Sequence, residues 1–529
     1  MMHCRVIAFL LPVVLLACAG GRREAERIAQ PALQMDVDSV GSHSVWIDLK
    51  LVNAQKAWLW AVTGDLADKT AEQIRTNGKA FDAGLHLEYG VLQPSTDYIL
   101  YACAEGENGR LGAVVKTTFQ TWKGGLYAWE ESRTKVPFFA DMALLYGAAG
   151  RTPKYWSRDR LKSFVTWTDP DTGEEKWLFD AFLILEGRTS DYPPRSYAVG
   201  ARDWSNPSIA MPAANQADAL TFLDYWFNSE NGLPALDALT GEAIARIGEP
   251  VAKTKIIVMM PDIAPRERYN VVGSSTTYWG KLQGVQTDFS QPAQRRAAYF
   301  WYVDEVRKRF AEAGFQHIEL GGFYIMSEEL PSTRSGVGGR GGDTVNGVLL
   351  DGWEGGYKAW DEVFPMVSDY IHRYRESVCW IPYRAAAGYR YWTEFGIDYA
   401  WMQPNYYWDT FGVNPMSSFF SEIARYNLAM ELEFDDMMMP HPRDRQASEY
   451  TKEKDGKTVT ETWEDYANRW RSYIEGMKSA GVYGVKPIAM YQDTDSFNHL
   501  RQSSDPVDNE AFHELCRLIA NDPLKANNR

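Results

Sequence analysis

The residues best placed to do chemistry are acids at the ends of two apolar runs. One run is Gly321-Gly322-Phe323-Tyr324-Ile325-Met326-Ser327-Glu328-Glu329. About a hundred residues later comes Leu428-Ala429-Met430-Glu431-Leu432-Glu433-Phe434. Burying carboxylates among apolar and aromatic side chains is costly, and such groups cluster where a site uses them. Two opposed carboxyls suffice to cleave a glycosidic bond. One stays protonated to donate to the leaving oxygen, and the other stays ionised on the opposite side. Glu431 and Glu433 are two apart, so on a strand they share one face. The expected acid/base is Glu328, with Glu329 beside it in reserve. The expected nucleophile is Glu433, nearer the strand end, with Glu431 as its alternative. The bland alternative is a set of solvated loop acids, or ion-pair partners of Arg188 and Arg384.

Such acids need a scaffold, and the sequence supplies a repeating one. Strand-like runs fall at 140–147, 178–185, 255–261, 317–326, 378–383, 398–403, 427–434 and 487–491. Amphipathic helices lie between them. One spans 295–313, with Tyr299, Val303, Val306 and Phe310 on one face and Gly314 at its end. Another spans 463–480, with Trp463, Trp470, Ile474 and Met477, and stops at Gly481. Strands alternating with helices imply a parallel sheet, and eight repeats predict a (β/α)8 TIM barrel over 136–525. The runner-up is an open doubly wound sheet. In a barrel, chemistry sits at the C-terminal ends of the strands. Those ends carry Tyr146, Glu186, Asp262, Tyr324, Tyr383, Arg384, Gln403, Asn405, Tyr406, Tyr491 and Asp493, the expected substrate-binding set. Amides beside aromatic rings suit sugar hydroxyls, because they offer donor and acceptor together. Trp380 and Trp401 are as well explained by core packing. The Gly-rich stretch 334–356 reads as a lid or as a long insertion.

Residues 31–121 have a different rhythm, with short alternating runs such as Val45-Trp46-Ile47-Asp48-Leu49. Leu92-Gln93-Pro94-Ser95-Thr96-Asp97-Tyr98 resembles the fibronectin type III pattern L-x-P-x-T-x-Y. The resemblance implies a small all-β sandwich with Tyr98 at a strand corner. No chemistry is apparent in it, and a spacer or docking role is expected. A polar linker, 122–136, follows. At the other end, Arg5 and the apolar run from Val6 to Leu16 lead into Leu15-Leu16-Ala17-Cys18, which looks like a bacterial lipobox. Residues 1–18 then form a signal peptide, and Cys18 becomes the lipidated residue. A plain secretory signal cut near Ala19 or Gly20 is the alternative.

Bulk properties narrow the classes. The 529 residues exceed one small core, so two domains are expected. The formal net charge of -15 offers no basic stripe for nucleic acid. Five cysteines, without a CxxC or a Cys/His cluster, give no metal site and no disulfide framework. Gly336-Val337-Gly338-Gly339-Arg340-Gly341 fits GxGxxG formally, but it follows its strand too distantly for a dinucleotide loop. No GxSxG, HExxH or Walker A motif is present. No cofactor is expected.

The 136–500 region resembles an uncharacterised, domain-of-unknown-function family of bacterial lipoproteins. The matching residues are Trp177-Leu178-Phe179-Asp180-Ala181-Phe182-Leu183, Gly322-Phe323-Tyr324, Trp380-Ile381-Pro382-Tyr383 and Gln403-Pro404-Asn405-Tyr406. Ile325 stands where such proteins have Trp. The resemblance implies likeness to sugar-degrading barrel enzymes, a role in polysaccharide utilisation and a place in the cell envelope, anchored to the outer membrane on either face. It supplies no catalytic residues. Two readings follow: a glycoside hydrolase acting on an extracellular or periplasmic glycan, and a non-catalytic glycan-binding lipoprotein. A third, an acid-rich cation site in the barrel mouth, would show as Ca²⁺-dependent stabilisation. Sugar, linkage and oligomeric state stay open.

Overall fold

The computed structural model describes residues 30–64, 67–122, 138–147, 155–191, 193–197, 211–228, 230–263, 276–330, 344–345, 348–349, 362–384, 386–408, 416–441, 449–454 and 456–526. Cys18, the GxGxxG stretch, most of 334–356 and nearly all of the 122–136 linker lie outside these residues. The chain divides into two compact units. The first comprises residues up to Asp36, Asp48–Leu87 and Ile99–Thr118; the second comprises Val37–Ile47, Glu88–Tyr98 and Phe119 onward.

The second unit contains a closed barrel of eight parallel strands. In chain order they are Asp141–Tyr146, Ala181–Leu185, Thr254–Met260, Ile318–Ile325, Ser377–Trp380, Tyr399–Met402, Ala429–Glu433 and Ile488–Tyr491, called barrel strands 1 to 8 below. Each pairs with its neighbours in sequence, and strand 8 closes onto strand 1. Every residue of strands 3, 5, 6 and 7 is buried. Strands covered on both faces cannot alternate, which is why they read as unbroken apolar runs.

Strand 4 carries an irregularity of register against strand 3, between Ile256 and Ile257, where Gly321 is the extra residue. A Cβ on Gly322 would lie 2.2 Å from the Ser377 carbonyl oxygen, so only glycine allows strand 5 to approach this closely. The helix Pro292–Ala313 opens with proline in its first turn and ends at Gly314 in the left-handed region. The helix Trp463–Ser479 opens with a capping box from Thr462 and Asp465. It buries Trp470, Tyr473, Ile474 and Met477. The first helix packs against barrel strands 3 and 4, and the second against strand 7.

In the N-terminal region the strands form small antiparallel sheets. One has three strands, Ala32–Val40, Ser44–Val52 and Gly84–Gly90. The other has four, in the order Lys79–Phe81, Lys56–Val62, Asp97–Glu105 and Val115–Gln120. The Tyr98 hydroxyl accepts a hydrogen bond from the Gln93 amide at 2.8 Å, and its ring stacks on Phe119 with centroids 5.5 Å apart.

Candidate functional site

Glu433 ends barrel strand 7 and is 1% exposed; Glu431, on the same face, is 3% exposed. Both oxygens of Glu433 are held. Oε1 accepts from the Asn405 backbone amide at 3.0 Å, and Oε2 accepts from the Tyr473 hydroxyl at 2.8 Å. Asn405 adopts φ +53, a left-handed conformation that asparagine tolerates, and its N–H meets Glu433 in that conformation. Burial pushes Glu433 up to about 8, against the opposing pull of Tyr473 and Asn405, and the charge of Glu328 adds to the rise. Glu431 is driven well above the ordinary carboxylate range by burial first, then by Glu433 and Glu328. The three acids from strands 4 and 7 therefore share one electrostatic site.

The two strand 4 acids have different surroundings. Glu328 is exposed and accepts from Gln403 Nε2 at 3.1 Å. Glu329 is half-buried and accepts from the Tyr383 hydroxyl. Their backbone is fixed from both sides. Ser327 Oγ donates to the Glu329 carbonyl at 2.8 Å, and Trp380 Nε1 donates to the Ser327 carbonyl at 2.6 Å. Trp380 thus packs in the core and also fixes the strand 4 end.

Of the expected substrate-binding residues, several gather near these acids. Tyr324 is buried beside Glu328, Tyr146, Glu431 and Cys379, and its hydroxyl is held well above the usual range mainly by burial. Asn405 Nδ2 donates to Gln403 Oε1 at 3.4 Å. Tyr146 and Tyr491 meet edge to face at 5.9 Å, and Tyr491 meets Trp408 in the same way at 5.7 Å. Asp493 accepts from the Tyr491 hydroxyl at 3.4 Å. Tyr406 packs at 6.1 Å from Tyr473.

Three others turn to different partners. Arg384 donates to Glu422 at 3.1 Å and to Ser418 at 2.7 Å, both on the helix Met416–Tyr426. It is therefore not an ion-pair partner holding the strand 7 acids. Glu186 is fully buried, accepts from the Gly187 amide at 2.8 Å, and acts on Tyr197 and Tyr225. Asp262 is buried, and its charge is felt by Tyr278 and Arg295.

Sequence reasoning missed Tyr473, Asp435 and the pair Asp436–His499. Tyr473 lies three residues after Trp470 on the apolar face of its helix, and a buried tyrosine hydroxyl needs a partner. Asp435 accepts from the Tyr407 hydroxyl at 3.1 Å, Trp408 Nε1 at 3.2 Å and the Met437 amide at 2.7 Å. It ties the loop after strand 6 to the loop after strand 7. His499 Nδ1 lies 2.8 Å from Asp436 Oδ2.

One consequence concerns stability. The folded pKa of Glu431 lies above its unfolded value of about 4.3. Its stabilising neutral form is complete below that value and is lost as pH rises through the folded pKa. Glu431→Gln keeps the neutral shape at every pH. It is expected to stabilise the protein at pH 7 and to have no effect near pH 4. Thermal melts at the two pH values check this; equal shifts at both would show that charge is not the cause.

Several known proteins are similar to the chain. The fibronectin type-III domain of human fibronectin type III domain containing protein 3 is 16% identical, over 18% of this chain and 86% of that one, with a TM-score of 0.13. Faecalibacterium prausnitzii beta-glucuronidase is 8% identical over 87% of this chain and 59% of that one, with a TM-score of 0.28. Bacteroides uniformis beta-glucuronidase 2 is 8% identical over 87% and 45%, with a TM-score of 0.30. The chain thus spans about half the length of these two glucuronidases. No curated protein matches it in sequence. The family described as Domain of unknown function (DUF4855) matches residues 141–337 and 353–517. These segments include every motif on which the family resemblance rested, and the chain belongs to that family.

Proposed function

We propose that this chain is a glycoside hydrolase whose carboxylate pair is drawn from Glu328 of strand 4 and Glu433 of strand 7. The observation that carries this reading is the shared site of Glu328, Glu431 and Glu433, in which Glu433 is buried yet held by donors on both oxygens. Keeping three interacting acids together with two of them buried is costly in a structural role and useful in acid–base chemistry. Glu433 acts as the ionised group, and Glu328, open to solvent and to an incoming glycosidic oxygen, acts as the proton donor. Gln403 and Asn405 present amides to sugar hydroxyls. Tyr146, Tyr491 and Trp408 offer ring faces and edges for its C–H surface. Reducing-sugar release from a panel of neutral, acidic and amino polysaccharides tests the reading. Release names the substrate class. No release, with one glycan still retarding the protein in an affinity gel, replaces the reading with the glycan-binding lipoprotein.

The other parts of the proposal rest on sequence. Residues 31–121 form a fibronectin type III-like module that carries the 136–525 barrel, and the Tyr98–Gln93 hydrogen bond supports the strand corner this requires. Cys18 is lipidated and holds the enzyme at the outer membrane. Radiolabelled palmitate is expected in the wild type and absent in Cys18→Ser, which should appear in the soluble fraction. Label retained in Cys18→Ser would remove the anchor from the proposal.

A further inference from the structure

Backbone amides can only donate hydrogen bonds, and two of them fix the polarity of the network around Glu433. The Tyr407 amide donates to the Tyr473 hydroxyl oxygen at 2.6 Å. That hydroxyl has one proton, and with its oxygen already accepting, the proton goes to Glu433 Oε2 at 2.8 Å. The Asn405 amide points its proton at Glu433 Oε1. The chain runs from Tyr407 N–H through Tyr473 O–H to Glu433, and its amide end is fixed because an amide cannot accept. Both oxygens of Glu433 face donors, the arrangement a carboxylate prefers and a carboxylic acid does not.

From this geometry we infer that Tyr473 is a positioning residue that fixes which strand 7 acid is ionised: it makes Glu433 an acceptor on both oxygens and leaves the proton of the pair to Glu431. Tyr473 is fully buried on the helix Trp463–Ser479, so its hydroxyl reaches Glu433 without competing water. The groups facing Glu433 are Glu431 on its own strand, Glu328 from strand 4, Tyr473 from the helix and the Asn405 amide from the loop after strand 6. Two are acids that oppose ionisation, and two are donors that favour it. Removing one donor shifts the balance toward the neutral form. The inference rests on the glycosidase reading for its catalytic meaning, but not for its chemistry.

The experiment pairs kinetics with stability. In Tyr473→Phe the pH at which kcat/KM switches on is expected to rise by about one unit, and kcat to fall about tenfold with KM little changed. The loss in melting temperature caused by Tyr473→Phe is expected to grow as pH rises through the titration of Glu433, because the donor stabilises the charged form more than the neutral one. In a Glu433→Gln background that pH dependence should vanish. A pH-independent loss, equal in both backgrounds, overturns the inference even if the enzyme turns over normally. A pH-dependent loss with no turnover from any glycan keeps the clamp and removes the glycosidase reading. The two failures are therefore distinguishable.

Discussion

Glu433→Gln is expected to lower turnover on any cleavable glycan by at least about a thousandfold, or about 4 kcal/mol of barrier, while the affinity for that glycan stays within a fewfold of wild type. The amide keeps the size of the side chain and one acceptor, but it cannot carry the negative charge that opposes an oxocarbenium-like centre. Glu328→Gln should lose as much on substrates with poor leaving groups. It should lose less where the leaving group needs no protonation, because its proposed task is to donate to that oxygen. Since burial raises Glu433 to about 8, its ionised fraction still increases through neutral pH. kcat/KM is therefore expected to climb with pH through neutrality as Glu433 ionises. Steady-state kinetics with an activated and an unactivated glycoside check all three statements. Glu433→Gln at wild-type turnover would remove the strand 7 acid from the mechanism. Glu329→Gln, whose carboxyl is held by Tyr383, should retain far more activity than Glu328→Gln.

Much of this arrangement was legible because the barrel is buried on both faces of its strands. All eight apolar runs correspond to barrel strands, and the two long helices end at the glycines that mark them. The strand ends were less legible. The run 178–185 starts three residues early, because the Leu178 and Phe179 amides bond to the carbonyls of Val165 and Phe164 rather than to a ladder. Strand 5 stops at Trp380 because Pro382, two residues on, has no N–H to continue it. The hairpin Glu449–Lys454 with Lys457–Thr462 lies outside the eight expected runs, although Asp455-Gly456 between alternating residues is a hairpin signal. Within the site, the acids were readable as interruptions of apolar runs. What holds them was not. The partner of Glu433 is 40 residues away on a helix, and its hydroxyl is indistinguishable in sequence from any core tyrosine. The partner of Arg384 was hidden for the converse reason. A cation at a strand end reads as a ligand contact, whereas Glu422, which binds it, lies on the following helix.

At the opposite end of the barrel, Lys525→Met is expected to destabilise the protein by about 3–5 kcal/mol at pH 7. Lys525 lies on the short C-terminal helix Pro523–Ala526, beyond the region matched by the family. Its ammonium is 2.8 Å from Asp141, the first residue of strand 1, and donates to the carbonyls of Leu178 and Ile519. Asp141, Asp180 and Asp522 are all raised above the usual carboxylate range, chiefly by burial, and Lys525 opposes the rise in each. Asp180 in turn receives the Ala140 and Asp141 amides at 2.8 Å, so this cluster sets where strand 1 begins. Methionine keeps the stem of the lysine but removes its charge, leaving three buried acids without their cation. The sign with pH follows. With Lys525 gone, the folded pKa values of the acids rise further above their unfolded values near 3.9, so the added cost is absent where all are protonated and grows as pH increases. The melting-temperature deficit of Lys525→Met should therefore be largest at pH 8, smaller at pH 5 and near its minimum at pH 4, where only the lost carbonyl contacts remain. A deficit that does not change with pH would mean that Lys525 serves these acids by packing and hydrogen bonding rather than by charge. The burial-driven account of the cluster would then fail.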